Sequence, residues 1–301
     1  MGVVLGANQY GKSENRVVRV NRDTDRHEIR DLNVSTWLRG DFAEAHTSGD
    51  QANVLPTDTQ KNTAFAYAKE HGVTSPEDYA IALGRHFLDA APAATEALVR
   101  VDEYAWDRIE VDGEGHNHSF VRRGTETRRT WVTVEGRGDE QRVWVVSGFC
   151  DLVVFKSTGS EFKGFLKDRY TTLQETDDRI LATAVTARWR YVGSDLDWDK
   201  SFSAVRNTML EEFANTHSLS LQQTLFAMGK GALEAVPEIA EIRLSMPNKH
   251  HFLVDMTKWD LDNPNQVFYA ADRPYGLIEA SIVRDDAPAA VGVWEGIAAF
   301  I

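Results

Sequence analysis

Along Leu244-Ser245-Met246-Pro247-Asn248-Lys249-His250-His251-Phe252-Leu253-Val254-Asp255, polar and apolar side chains alternate with a period of two, which predicts a strand. One face of it reads Leu244, Met246, Asn248, His250, Phe252, Val254. That face is apolar except at its centre, where an amide and an imidazole project in the same direction and need partners. Backbone groups could satisfy both. His251 falls on the opposite face.

Similar reasoning places the other elements. Val17–Val20 and a run from His27 to Val34 flank the turn-forming Asn21–Asp25 and predict a hairpin. Thr57-Asp58-Thr59-Gln60 has the form of a capping box and starts a helix running to about His71. Ser75-Pro76-Glu77-Asp78 starts another, with Tyr79, Leu83 and Phe87 along one face. Strands follow over Glu96–Arg108, His118–Arg122, Arg128–Val134 and Val143–Phe155.

The second half repeats this plan. Thr183–Val192 predicts a strand, and Asp199 to about His217 a helix with Phe202, Val205, Met209 and Phe213 on one face. Ser220-Leu221-Gln222-Gln223 is a second capping box, opening a helix that carries Leu225, Met228 and Ala232 and closes ahead of Pro237. Strands over Glu241–Met246, the stretch described first, Val267–Ala270 and Gly276–Val283 complete it. The pattern predicts an α+β fold of two similar units, 1–135 and 136–301, each an antiparallel sheet with two helices on one face.

Charge and cysteine content narrow the chemistry. With 33 Lys and Arg against 46 Asp and Glu, the 301-residue chain has a net charge of -13. That disfavours nucleic acid or an anionic membrane as a partner. A single cysteine, Cys150, excludes an intrachain disulfide and a thiolate metal cluster. No apolar run approaches the ~18 residues of a membrane span. Met1–Gly6 has no secretory pattern and the last three residues form no peroxisomal signal, so the expected location is the cytoplasm.

Candidate chemistry lies in four places. The polar helix start at Thr57–Thr63 offers N–H groups and the positive end of a helix dipole to an anion, beyond plain capping. Ser220-Leu221-Gln222 offers the same, with an amide for a planar heterocycle. Lys156–Leu181 fits no amphipathic template and is long for a connection, as functional loops often are. Its Phe162 and Phe165 could serve as tethers, and Arg179 could pair with Asp177 and Asp178. The close histidine pairs, His116 with His118 and His250 with His251, lack the spacing or cysteine partners of a metal site. Phosphate loop, dinucleotide fingerprint and serine elbow are absent too, which leaves chemistry without metal or cofactor.

Together Tyr10-Gly11-Lys12, Thr57–Thr63, Lys156–Phe162 through Arg179-Ile180-Leu181, Leu221-Gln222, Pro247-Asn248-Lys249-His250 and Gly276-Leu277-Ile278 resemble the urate oxidase (uricase) family, in order and across nearly the whole chain. The resemblance implies the tunneling fold, with tandem ββααββ units assembling into an oligomeric barrel, usually a homotetramer with active sites at subunit interfaces. It implies oxidation of urate by dioxygen to 5-hydroxyisourate and hydrogen peroxide with no cofactor.

By the same resemblance Arg179 and Gln222 grip the urate ring and Phe162 stacks on it. Leu221 and Asp58 offer backbone N–H groups, and Ile278 forms a pocket wall. Lys12, Thr57 and His250 form a proton relay, Asn248 holds dioxygen or water, and Thr57 and Asp58 come from a neighbouring chain. Pro56 stands where many relatives have a small non-proline residue.

Overall fold

A β-hairpin opens the chain: β1 (Tyr10–Asn21) pairs antiparallel with β2 (Glu28–Gly40), and Asn21 stands opposite Glu28 across the expected turn. The coordinates are those of a computed structural model, which describes residues 2–271, 273–290 and 292–297. Met1 and the terminal tripeptide, both weighed above as address signals, lie outside them.

After the short α1 (Ala43–Thr47) come α2 (Thr57–Glu70), α3 (Pro76–Ala90), β3 (Ala94–Val111), β4 (Glu114–Glu135) and β5 (Arg142–Lys156). Then follow β6 (Leu181–Tyr191), α4 (Trp198–Asn215), α5 (Leu221–Ala235), β7 (Ile239–Pro247), β8 (His250–Leu253), β9 (Phe268–Ala271) and β10 (Leu277–Val283). This is the α+β class expected.

Contacts divide the chain into two compact units. The first takes in residues up to Gly148, with Arg190–Asp199 and the segment from Pro288. Its strands run β1-β2-β3-β4, antiparallel throughout, and α2 and α3 pack on them. Tyr79, Leu83 and Phe87 of α3 are buried, as their spacing predicts. The two strands expected over 118–122 and 128–134 are one strand. β4 pairs with β3 along its whole length, and the polar residues between them form an irregularity opposite Tyr104–Trp106 rather than a break. Polarity ended the predicted strand, but ladder pairing continues it.

In the second unit the order is β5-β6-β7-β10, with β8 and β9 forming a separate ribbon. Val205, Met209 and Phe213 of α4 are buried, as are Leu225, Met228 and Ala232 of α5. Helix α5 lies close on β7 and β10: a Cβ on Gly229 would sit 2.6 Å from Ile282 Cδ1 and 3.0 Å from Leu244 Cδ1. Glycine there lets the helix settle on the sheet, and so fixes where its N-terminus points.

The strand expected over 244–255 is broken. Leu244 and Met246 are buried in β7, but that strand ends at Pro247, and β8 belongs to the ribbon with β9. Asn248 N–H donates to Gly276 O at 2.8 Å and Lys249 N–H to Ala182 O at 2.8 Å, so the chain crosses between neighbouring strands at this point. Phe252, expected on the core face, is exposed.

Candidate active site

The break after Pro247 makes one wall of a cavity of about 390 Å³ in the second unit. Asn248 and His250 line it, Ile278 of β10 stands beside Met246 in register, and Leu221 and Gln222 enter from the first turn of α5. Phe162 and Arg179 come from the long loop. Seven of the ten candidate residues are thus gathered at one place.

Local hydrogen bonding explains how each is held. Ser220 caps α5, its hydroxyl accepting from Gln223 N–H at 3.2 Å, while Gln223 Oε1 accepts from Leu219 N–H at 2.7 Å. The cap satisfies Gln223 and leaves the first-turn N–H groups of Leu221 and Gln222 beside the cavity. In the loop, Phe162 and Thr176 exchange backbone hydrogen bonds at 2.9 and 3.1 Å, and Arg179 N–H donates to Ser160 O at 2.8 Å. These bonds bring two residues seventeen positions apart to one spot. The Arg179 guanidinium carbon then lies 5.0 Å from the Phe162 ring centroid.

The local ion pair weighed for Arg179 is not formed. Asp177 accepts from Lys163 Nζ at 2.5 Å and Asp178 from the Thr158 hydroxyl at 2.8 Å. Arg179 Nε is buried without a hydrogen-bond partner, and burial lowers the guanidinium pKa. The imidazole of His250 is likewise held below its ordinary pKa, first by burial, then by the charges of Arg179 and His251. A guanidinium lining the cavity beside an imidazole of lowered pKa suits a planar anion that presents adjacent acceptors.

Lys12, Thr57 and Asp58 gather in the first unit. Helix α2 packs on β1, and the charge of Lys12 adds to the dominant Lys61 hydrogen bond in lowering the Asp58 pKa. The capping box expected at Thr57 is not formed. Pro56 occupies the cap position without a side-chain bond, and the Gln60 side chain accepts from the Thr36 hydroxyl at 2.7 Å instead. Proline brings a fixed φ but no capping oxygen, so Thr57 enters as the first helical residue.

Lys12 precedes an irregularity in the β1–β2 pairing: Lys12 faces Thr36, Asn15 faces Val34, and Glu14 between them has φ 61°. Its N–H donates to the Ser35 hydroxyl at 2.9 Å. Gly11 is required here, because a Cβ would lie 1.7 Å from Thr36 O. A bulge of this kind re-aims the neighbouring side chain.

Sequence reasoning missed several cavity residues. Leu173, Gln174 and Thr176 line it from the loop, where no periodicity marks them. His251, expected to point away, also borders it; its Nδ1 lies 2.9 Å from Lys249 O and its ring packs edge-on against Phe155 at 5.3 Å. Only adjacency to His250 could have signalled it. Among the described residues no group of three His, Cys, Asp or Glu is placed to hold a metal ion.

Fold and cavity together define a tandem α+β protein whose second unit carries a cavity lined by a guanidinium, an amide, an imidazole and an aromatic ring. Comparison with known proteins makes the class specific. The uricase family model matches residues 8–133 and 145–279, and the chain belongs to the uricase family. It is 52% identical over 298 residues to the uricase of Arthrobacter globiformis, covering 99% of this chain and 96% of that protein. It is 39% identical over 280 residues to that of Dictyostelium discoideum, covering 92% and 96%. The crystal structure of the Arthrobacter globiformis uricase superimposes with a TM-score of 0.92, covering 98% of this chain and 99% of that one.

Proposed function

We propose that this chain oxidises urate with dioxygen and water to 5-hydroxyisourate and hydrogen peroxide, with no metal or organic cofactor. The observation that carries the reading is Arg179, which lines the cavity together with the Phe162 ring and the Gln222 amide and forms no ion pair with the neighbouring Asp177 and Asp178. An Arg fork and the Gln222 amide suit the two edges of a planar purine anion. Phe162 supplies the stacking face, Leu221 a backbone N–H, and Ile278 an apolar wall. Asn248 holds dioxygen or the attacking water above the ring.

Deprotonated urate is electron-rich enough to reduce dioxygen, so the protein's tasks are orientation and proton transfer. Two electrons pass from urate to oxygen, water adds its hydroxyl to the oxidised ring, and the protons released complete the peroxide. Lys12 perturbs the Thr57 hydroxyl, and His250, neutral because its pKa is lowered, accepts the proton.

The relay needs Lys12 and Thr57 at the cavity, and substrate binding needs the Asp58 N–H there. We infer that a neighbouring copy supplies Thr57 and Asp58, in a homotetramer whose sites lie between subunits. A soluble cytoplasmic enzyme fits the net charge of -13; no helix among the described residues is long and apolar enough to cross a membrane. The test is purified protein given urate in air. Loss of ultraviolet absorbance with matching peroxide supports the reading, and absence of both refutes it.

A further inference from the structure

Phe165 lies outside the cavity, yet its ring stacks on Phe162 with centroids 5.1 Å apart and planes 15° from parallel. Parallel aromatic rings at that spacing attract each other and resist rotation. Phe162 itself lines the cavity, whereas Phe165 is not among the residues that line it. Lys167 Nζ lies 5.4 Å from the Phe165 ring centroid. The Arg179 guanidinium lies 5.0 Å from the Phe162 centroid, close enough for one ligand to meet both. A ligand gripped edge-on by Arg179 can stack on Phe162 only if the two planes agree.

We propose that Phe165 is a positioning residue. It backs the Phe162 ring and sets its plane parallel to the ligand layer that Arg179 defines. The backbone bonds between Phe162 and Thr176 fix where the ring starts but leave its side-chain torsions free. Closure of the stack from behind removes that freedom. Turned edge-on, the ring would lose overlap with a purine while Arg179 stayed in place.

The inference rests on the stacking role proposed for Phe162, and its test separates the two. Phe165→Leu, Phe165→Ala and Phe165→Tyr are made in the full chain, and urate binding is measured without oxygen alongside steady-state turnover. Leu and Ala are expected to weaken binding and raise KM by about two- to tenfold, with kcat within about twofold, and Tyr to restore both. A merely structural role would instead lower thermal stability and the fraction of active sites, with KM unchanged in the sites that remain, and would overturn the proposal. A crystal structure of Phe165→Leu reads the ring directly, whether or not urate is the substrate. A rotated or multiply oriented Phe162 supports the proposal, and an unmoved ring refutes it.

Discussion

The Arg179 guanidinium lies 5.0 Å over the Phe162 ring, and its buried Nε has no partner, although Asp177 and Asp178 adjoin it in sequence. Both carboxylates are occupied elsewhere in the loop, by Lys163 and Thr158. The loop thus engages both acids away from the Arg179 guanidinium.

Arg179→Lys keeps the charge and loses the fork, so it should raise KM for urate by about 10- to 100-fold while altering kcat less. Steady-state kinetics of the two variants Arg179→Lys and Arg179→Ala check this. Equal constants for wild type and either variant would remove Arg179 from the site.

Thr57→Ala and Lys12→Ala should act in the opposite way, lowering kcat by about 100-fold or more with little change in KM, since they move protons rather than bind. If Thr57 is lent by a neighbour, Thr57→Ala and Arg179→Ala chains co-assembled in equal amounts should regain about a quarter of wild-type activity, because each mixed interface can build one intact site. No recovery in verified mixed oligomers would place both residues in sites of a single chain.

His250 is held below the ordinary imidazole value by burial and by the Arg179 and His251 charges. A group whose folded pKa is depressed takes up its proton more readily in the unfolded chain. Its contribution to stability is therefore present above the unfolded value of 6.5 and is lost as pH falls through the folded one. Activity that needs the neutral ring should persist below pH 6.5 and fail only at lower pH. NMR titration of the imidazole reads this directly, and in Arg179→Ala the titration should move upward because one of the opposing charges is gone.

Within the first unit, Glu77 is fully buried, 2.7 Å from Arg128 Nη2 and 2.6 Å from the Ser147 hydroxyl, and burial pushes its pKa up. Replacing it with Ala leaves a buried guanidinium short of a partner, which costs about 3–5 kcal/mol. A thermal scan should show this as a Tm lowered by several degrees, with KM for urate unchanged.

The elements were legible in the sequence wherever local chemistry decides them. Ser75 and Ser220 both cap helices as their spacing predicts, and the buried faces of α3 and α5 follow from period 3.6. Thr57 misled because Pro56 takes the cap position and Gln60 turns to Thr36, a partner twenty-four residues away. The strand read through 244–255 failed at Pro247, where the chain passes to Gly276 and Ala182 for its hydrogen bonds. Those are long-range partners that alternation cannot reveal. Asn248 and His250 were still identified, since the amide and imidazole interrupt an apolar pattern, but they share a cavity through this break and not through a common strand face. The pairing of Phe162 with Arg179 depends on backbone bonds across an aperiodic loop, so only the family resemblance linked them beforehand.

Urate turnover in the presence of a strong metal chelator tests the central claim most directly. Loss of urate absorbance should be undiminished, with one peroxide formed per urate consumed. Loss of turnover that added metal restores, or urate consumption without peroxide, would contradict it.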